Sequence, residues 1–203
     1  WTVRIDDEKG KAALDFYLSL RQWCPPGVGD IGQGDIIAML ATNRALQAIT
    51  VAAAYSHFDN PQESIVPFKI NSTAIPRAKE GMHATTVGVW VMGIPKGSQN
   101  KKLAFEFMKW ATSKEAQMKF AEFGGVPVRS DVYRSELAKR KELRYLNAMN
   151  ESFKYAQERP RIGEWYQIED VMGMHLNKAV VGLESAEIAL REIGKAIREI
   201  MKD

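Results

Sequence analysis

Apolar residues recur at spacings of three and four from Asp7 to Trp23, where Ala13, Phe16, Tyr17, Leu20 and Trp23 form one stripe. That pattern predicts an amphipathic helix. Asp6 and Asp7 suit its start, where unpaired backbone N–H groups favour a carboxylate. Cys24-Pro-Pro-Gly27 ends it, because proline cannot continue the hydrogen-bond ladder. A glycine-rich run from Gly27 to Gly34 follows. It lacks the Gly-Lys-Ser/Thr ending of a phosphate loop and reads as a turn-rich connection. Asp35 to Thr42 predicts a short amphipathic helix through Ile36, Ile37, Met39 and Leu40. Leu46 to Ala52 has the β-branched, apolar character of a buried strand. Ala53 to Phe58 reads as a helical turn closed by Asp59-Asn60-Pro61. Ile65 to Ile70 and Thr86 to Ile94 are further strand candidates, and the glycines inside the second mark a bend or a close backbone approach.

From Ser98 onward the period is helical. Leu103, Phe107, Trp110 and Ala111 make one stripe with Ala104 and Met108 beside it. Ser113 is placed to cap a second helix carrying Ala116, Met118, Phe120, Ala121 and Phe123, which Gly124-Gly125 stops. Val126-Pro127-Val128 reads as a short extended piece, and Ser135 to Gln157 as one long charged helix. Two more helices are expected over Tyr166 to Val181 and Ser185 to Met201. A small sheet among many helices places the chain in the α/β class, with helix in excess.

The 203 residues are 45 % apolar and 26 % charged, with a single cysteine, Cys24. That composition excludes a disordered tail and a disulfide-stapled mini-domain. The longest nearly uncharged stretch, Ala45 to Tyr55, is far shorter than the roughly 20 apolar residues of a membrane span. Formal charge is +3, from 28 basic and 25 acidic residues. The most basic stretch, Arg134 to Arg161, has eight Lys/Arg with four Asp/Glu mixed through it. It reads as a solvated helix face, and no nucleic-acid partner is expected. The opening Trp1 to Gly10 carries neither an initiator Met nor a basic-then-apolar leader, which suggests a piece of something longer.

The search for reaction chemistry excludes more than it finds. His57, His83 and His175 have no His or Cys at metal-ligand spacing, so no metal site is expected and a structural role is the commoner outcome. Cys24 has no thiolate-stabilising signature beside it. Neither Gly-x-Ser-x-Gly nor HExxH occurs. Asp59, Glu63 and Glu80 could in principle pair for glycoside cleavage, but nothing fixes their separation and solvated loop acids are the simpler reading. No catalytic residue, nucleotide motif or cofactor is expected.

What remains is aromatic. Trp90 lies between Val89 and Val91, two residues past Gly88, and Trp165-Tyr166 opens a helix after Glu158-Arg-Pro-Arg-Ile-Gly-Glu164. Indole and phenol rings offer a flat apolar face with a polar edge, a surface on which a pyranose ring stacks. Arginine adds several donors in a fixed fork. A strand tryptophan is nonetheless more often core than ligand platform.

The order of five segments resembles the C-terminal half of extracellular solute-binding proteins of ABC importers, in the carbohydrate-binding branch. The segments are Lys11-Ala-Ala-Leu-Asp-Phe-Tyr17 with Pro25-Pro-Gly27, Gly34-Asp-Ile-Ile-Ala-Met39, and Ala52-Ala-Ala-Tyr-Ser-His-Phe-Asp-Asn-Pro-Gln-Glu-Ser64. The most specific is the run from Val87-Gly-Val-Trp-Val-Met through Ala116-Gln117, and the last is Arg159-Pro-Arg-Ile-Gly-Glu-Trp-Tyr166. The resemblance implies a helix-rich portion of a type II periplasmic-binding fold, a two-lobed clamp that closes by a hinge. It implies that residues 1–86 supply the main part of the C-terminal lobe. Residues 87–128 then cross the hinge and extend into the other lobe, and 129–203 return for the terminal helices. If the partnering half lies outside this chain, the resemblance implies that the crossing segment has lost its sheet, its apolar faces being exposed or engaged in self-association.

Such a protein is non-catalytic. The resemblance implies capture of a sugar or polyol, delivery to membrane permease subunits, and a periplasmic or extracellular location with or without a lipid anchor. In the family the tryptophan of a Gly-Gly-Trp strand stacks on a sugar ring, and the match here is Gly88-Val89-Trp90. Val89 departs from the glycine that lets backbone approach the ligand, and Thr50-Val51 replaces an Asn-Trp pair found in many members. The implied ligand-binding set is Trp90, Gly88, Arg161, Trp165, Tyr166 and Tyr55, a packed role for Tyr55 being the alternative. Lys96, Lys101 and Lys102 are candidate permease contacts. A peptide, polyamine or phosphorylated ligand on the same fold remains open, as does a carbohydrate-active enzyme or a helical interaction module.

Overall fold

The computed structural model describes residues 2–79 and 81–202. Glu80, one of the three loop acids, lies outside the described residues. The chain divides into two compact units, Trp1–Ile31 with Pro160–Asp203, and Gly32–Arg159.

The first unit is helical. Helix α1 (Glu8–Ser19) starts where Asp7 accepts a hydrogen bond from the Gly10 N–H at 2.9 Å, and it tightens into a 3-10 turn at Leu20–Trp23. The buried side is not the stripe of Phe16, Tyr17, Leu20 and Trp23, all exposed, with Trp23 at 81 %. Instead Leu14 and half-buried Leu18 pack against Ala186, Ala189 and Leu190 of α9 (Ala186–Ile200), whose small side chains admit a neighbouring helix closely. Further along, Ile193 and Ile197 of α9 bury against Ile168 of α8 (Trp165–Val181). Asp6 pairs with Arg198 at 2.7 Å, and a Cβ on Gly194 would come within 2.4 Å of the Asp6 carboxylate. A larger residue there would push the Asp6 side chain aside.

Between α8 and α9 the chain turns at Gly182, with φ of +86°, the left-handed conformation glycine adopts without a Cβ clash. The Glu184 carboxylate then bonds back to α8, 2.8 Å from His175 Nδ1 and 3.2 Å from Lys178 Nζ. The hydrogen bond from His175, and after it that from Lys178, holds Glu184 below the usual carboxylate range. A carboxylate depressed on folding adds stability that is complete above its unfolded pKa, about 4.3, and is lost as pH falls through the folded value. Glu184→Gln is therefore expected to flatten the acid limb of a Tm-against-pH curve below about pH 4.5 and to lower Tm at pH 7. An unchanged acid limb contradicts the assignment.

In the second unit, α2 (Gln33–Ala41) and α3 (Tyr55–Phe58) pack with α5 (Lys114–Glu122), α6 (Ser130–Tyr133) and α7 (Tyr145–Ser152) around Leu40, Phe58, Ala121, Val132, Leu143 and Leu146. The Ser113 hydroxyl accepts from the Ala116 N–H at 3.3 Å, and Gly124, at φ +84°, ends α5. Buried Gln117 ties α5 to both flanks, donating to Ala111 C=O and accepting from the Val128 N–H, each at 2.8 Å.

The single long helix expected over Ser135 to Gln157 is broken. It becomes 3-10 turns at Glu136–Lys139 and Lys141–Leu143, then α7, then another turn at Phe153–Tyr155. At about 100° per residue, Leu137 and Leu143 lie some 120° apart on one helix. Arg140 is extended, with ψ of 138°, and that kink lets both leucines reach the core.

The sheet is smaller than the sequence predicts. Strand β1 (Thr85–Val87) pairs in parallel with β2 (Ala156–Glu158), Thr85 opposite Ala156 and Val87 opposite Glu158. Leu46 to Ala52 and Ile65 to Ile70 are not strands, and Leu46 is 96 % exposed. A β-prone sequence forms a strand only against a neighbouring one, and among the described residues these two segments have none. Helix α4 (Lys101–Ala111) buries no side chain fully: Leu103, Phe105, Phe107 and Trp110 are exposed while Ala104, Met108 and Ala111 are half-buried.

Candidate functional site

The expected site residues fall in both units, Gly88, Trp90 and Tyr55 in Gly32–Arg159, and Arg161, Trp165 and Tyr166 in the other. β1 ends at Val87, so Gly88, Val89 and Trp90 continue from it as irregular chain rather than as the expected strand to Ile94. Trp90 is 101 % exposed, with Val89, Val91 and Met92 exposed around it. An indole buries about 200 Å² in a core, so full exposure forgoes one of the largest apolar gains a side chain can make. A Cβ on Gly88 would meet nothing within 4 Å, so packing within the chain does not require glycine there.

Tyr55 takes the packed alternative. It is 5 % exposed, its ring lies 4.9 Å from Tyr145 and 6.1 Å from Phe58, and the Arg144 guanidinium sits 4.9 Å above it. Its hydroxyl donates to Ile70 C=O at 3.3 Å, and burial pushes its pKa well above the ordinary phenol value. Arg144 in turn makes a forked pair with Asp59, 2.6 Å and 3.0 Å, and donates to the carbonyls of Ile70 and Lys141. Asp59 is thus an ion-paired structural acid. No pattern could have joined residues 59 and 144, which are 85 positions apart.

Arg161 is exposed in the loop before α8 and Tyr166 is exposed on its first turn. Trp165, at the first position of α8, packs against the cluster of Ile168, Ile193 and Ile197. Its indole N–H is buried and has no hydrogen-bond partner among the described residues. A buried donor left without an acceptor costs about 1–3 kcal/mol.

The remaining candidates are structural. Glu63 is held by His57 and by Asn60, the latter at 2.7 Å, and His83 Nδ1 lies 2.7 Å from Ile75 C=O. Cys24 is a free, exposed thiol. Among the described residues no three His, Cys, Asp or Glu gather as a metal site, and no helix is long and apolar enough to cross a membrane.

Residues 3–144 match the family model described as bacterial extracellular solute-binding protein, about seven-tenths of the chain. The chain belongs to that family. Among curated solute-binding proteins it is 28 % identical over 127 residues to the mannitol-binding protein of Pseudomonas aeruginosa, covering 62 % of this chain and 29 % of the relative. It is 25 % identical over 197 residues to a probable amino-acid ABC transporter periplasmic-binding protein of Sinorhizobium fredii, covering 96 % of this chain and 44 % of that one. Among solved structures, maltose-bound MalE3 of T. maritima superposes with a TM-score of 0.84 at 26 % identity, over 97 % of this chain and 51 % of that one. The chain thus spans about half the length, or less, of these relatives. The helix-rich α/β architecture with a small sheet is that of the type II periplasmic-binding fold.

Proposed function

We propose that this chain forms part of the ligand-capturing component of an ABC importer, non-catalytic and specific for a sugar or polyol. The observation that carries the reading is Trp90, a whole indole held in solvent on irregular chain behind an unobstructed glycine. A flat apolar face of that kind gains most from a ligand whose C–H face is apolar and whose rim is hydroxylated. The names of relatives point the same way: mannitol for the Pseudomonas protein and maltose for MalE3. The ligand-binding residues proposed in the Gly32–Arg159 unit are Trp90, as stacking platform, and Gly88, as close-approach point; those proposed in the other unit are Arg161, Trp165 and Tyr166. Tyr55, packed in the core, is not among the proposed ligand contacts.

Residues 1–86 and 129–203 are proposed for one lobe of the clamp and the chain between them for the crossing to the other, with α5 at its far end packed back on α2, α3, α6 and α7. The exposed apolar side chains of α4 agree with a segment that packs on a partner lobe. Closure presents the outer surfaces, including Lys96, Lys101 and Lys102, to permease subunits at the outer face of the membrane. The Sinorhizobium relative keeps an amino-acid ligand as the second reading.

The test is a thermal-shift and calorimetric panel on the full-length protein: mannitol, ribitol, tagatose, maltose and a set of amino acids. A ligand at 100 times its Kd stabilises the folded form by about 2.7 kcal/mol, a shift of several degrees. A shift with a sugar or polyol supports the reading. A shift with amino acids alone overturns the ligand class, and turnover of any glycan overturns the non-catalytic assignment.

A further inference from the structure

β1 and β2 are three residues each and come from positions 85 and 156. A two-stranded ladder of that length is marginal unaided. At the end where both strands begin, the His83 ring lies 4.7 Å from the Tyr155 ring at an interplanar angle of 33°. His83 Nδ1–H donates to Ile75 C=O at 2.7 Å, which fixes the imidazole against the preceding loop. That loop is itself knotted by Arg77, whose guanidinium donates to the carbonyls of Lys79 and Gly81 at 3.1 Å and 3.0 Å. On the other side the Tyr155 hydroxyl reaches Glu151 of α7 at 3.4 Å, and Lys154 pairs with the same carboxylate. The stacked pair therefore ties a wandering loop to a helix at the point where the two strands meet.

Trp90 buries none of its own surface, so side-chain packing does not place it. Its position is set by the backbone, and the nearest anchored backbone is β1, three residues upstream. We propose that His83, through its stack on Tyr155, is a positioning residue for Trp90: it holds β1 in register against β2 and so sets where the exposed indole stands. This rests on the reading of Trp90 as a ligand platform, and the test separates the two.

The full-length protein is labelled with 5-fluorotryptophan and the Trp90 resonance assigned by Trp90→Phe. In the free protein, His83→Ala and Tyr155→Ala are each expected to shift or broaden the Trp90 resonance while those of Trp23, Trp110 and Trp165 stay in place. Tyr155→Phe, which keeps the stack, restores the wild-type position. With mannitol or maltose as probe, whichever binds, His83→Ala weakens binding about three- to tenfold. If no sugar or polyol binds but Trp90 still moves in the variants, the functional reading fails and the positioning role stands. If Trp90 stays in place, or all tryptophan resonances move together, the positioning role is overturned.

Discussion

Replacing Trp90 with alanine in the full-length protein is expected to weaken binding of the cognate sugar or polyol by about 2 kcal/mol or more, roughly thirtyfold in Kd. The same replacement should leave the unfolding free energy within about half a kcal/mol of wild type, the usual range for a surface change. The contrast follows from exposure: an indole at 101 % has no packing to lose, and all its apolar surface is open to a ligand. Trp90→Phe keeps a smaller flat face and should recover part of the affinity. Isothermal titration against the panel hit, beside urea unfolding of the free protein, reads both quantities. A variant that loses stability and keeps affinity would show Trp90 to be a lobe-packing residue and remove the observation on which the proposed function stands.

What the sequence made legible, and what it hid, divides along a physical line. Local signals are legible where a residue acts on its own helix. Asp7 and Ser113 cap α1 and α5, Gly124 ends α5, and α9 forms within the expected Ser185 to Met201. The misses all depend on a partner distant in sequence. Strand β2 is Ala-Gln-Glu, with no β-propensity, and exists because Thr85–Val87 lies beside it. Leu46 to Ala52 carries the stronger strand signal and has no neighbour to pair with among the described residues. The periodicity of α1 shows that an apolar face exists and not what it meets; the face that meets α9 holds Leu14. For the candidate site, the sequence pointed to Trp90 through its resemblance to a family motif, but its full exposure, the packed state of Tyr55 and the orphaned N–H of Trp165 needed coordinates.

The largest stability effect is expected at Asp59, which the sequence offered only as a loop acid. Its side chain is 11 % exposed and that of Arg144 is 18 %, so removing the carboxylate leaves a guanidinium buried without its counter-ion. Loss of one partner from a buried pair costs about 3–5 kcal/mol, and slight residual exposure places this pair near the lower end. A second cost adds to it. Phe68 holds φ of +62°, the left-handed region that a bulky L-residue reaches at about 1–2 kcal/mol, and its N–H donates to Asp59 Oδ1 at 2.8 Å. The carboxylate thus anchors the strained backbone and the arginine that covers Tyr55. Asp59→Ala should lower unfolding free energy by about 3 kcal/mol in urea titrations. Arg144→Met combined with Asp59→Leu should cost less than the two single changes summed, because no unpaired charge remains. Additive costs, or a single-variant loss below about 1 kcal/mol, would show the pair to be solvated. The same variants decide the role of Tyr55. If the phenol only packs, the folded fraction of Asp59→Ala binds ligand with the wild-type Kd, whereas a Kd that rises with the loss of Asp59 would return Tyr55 to the binding site.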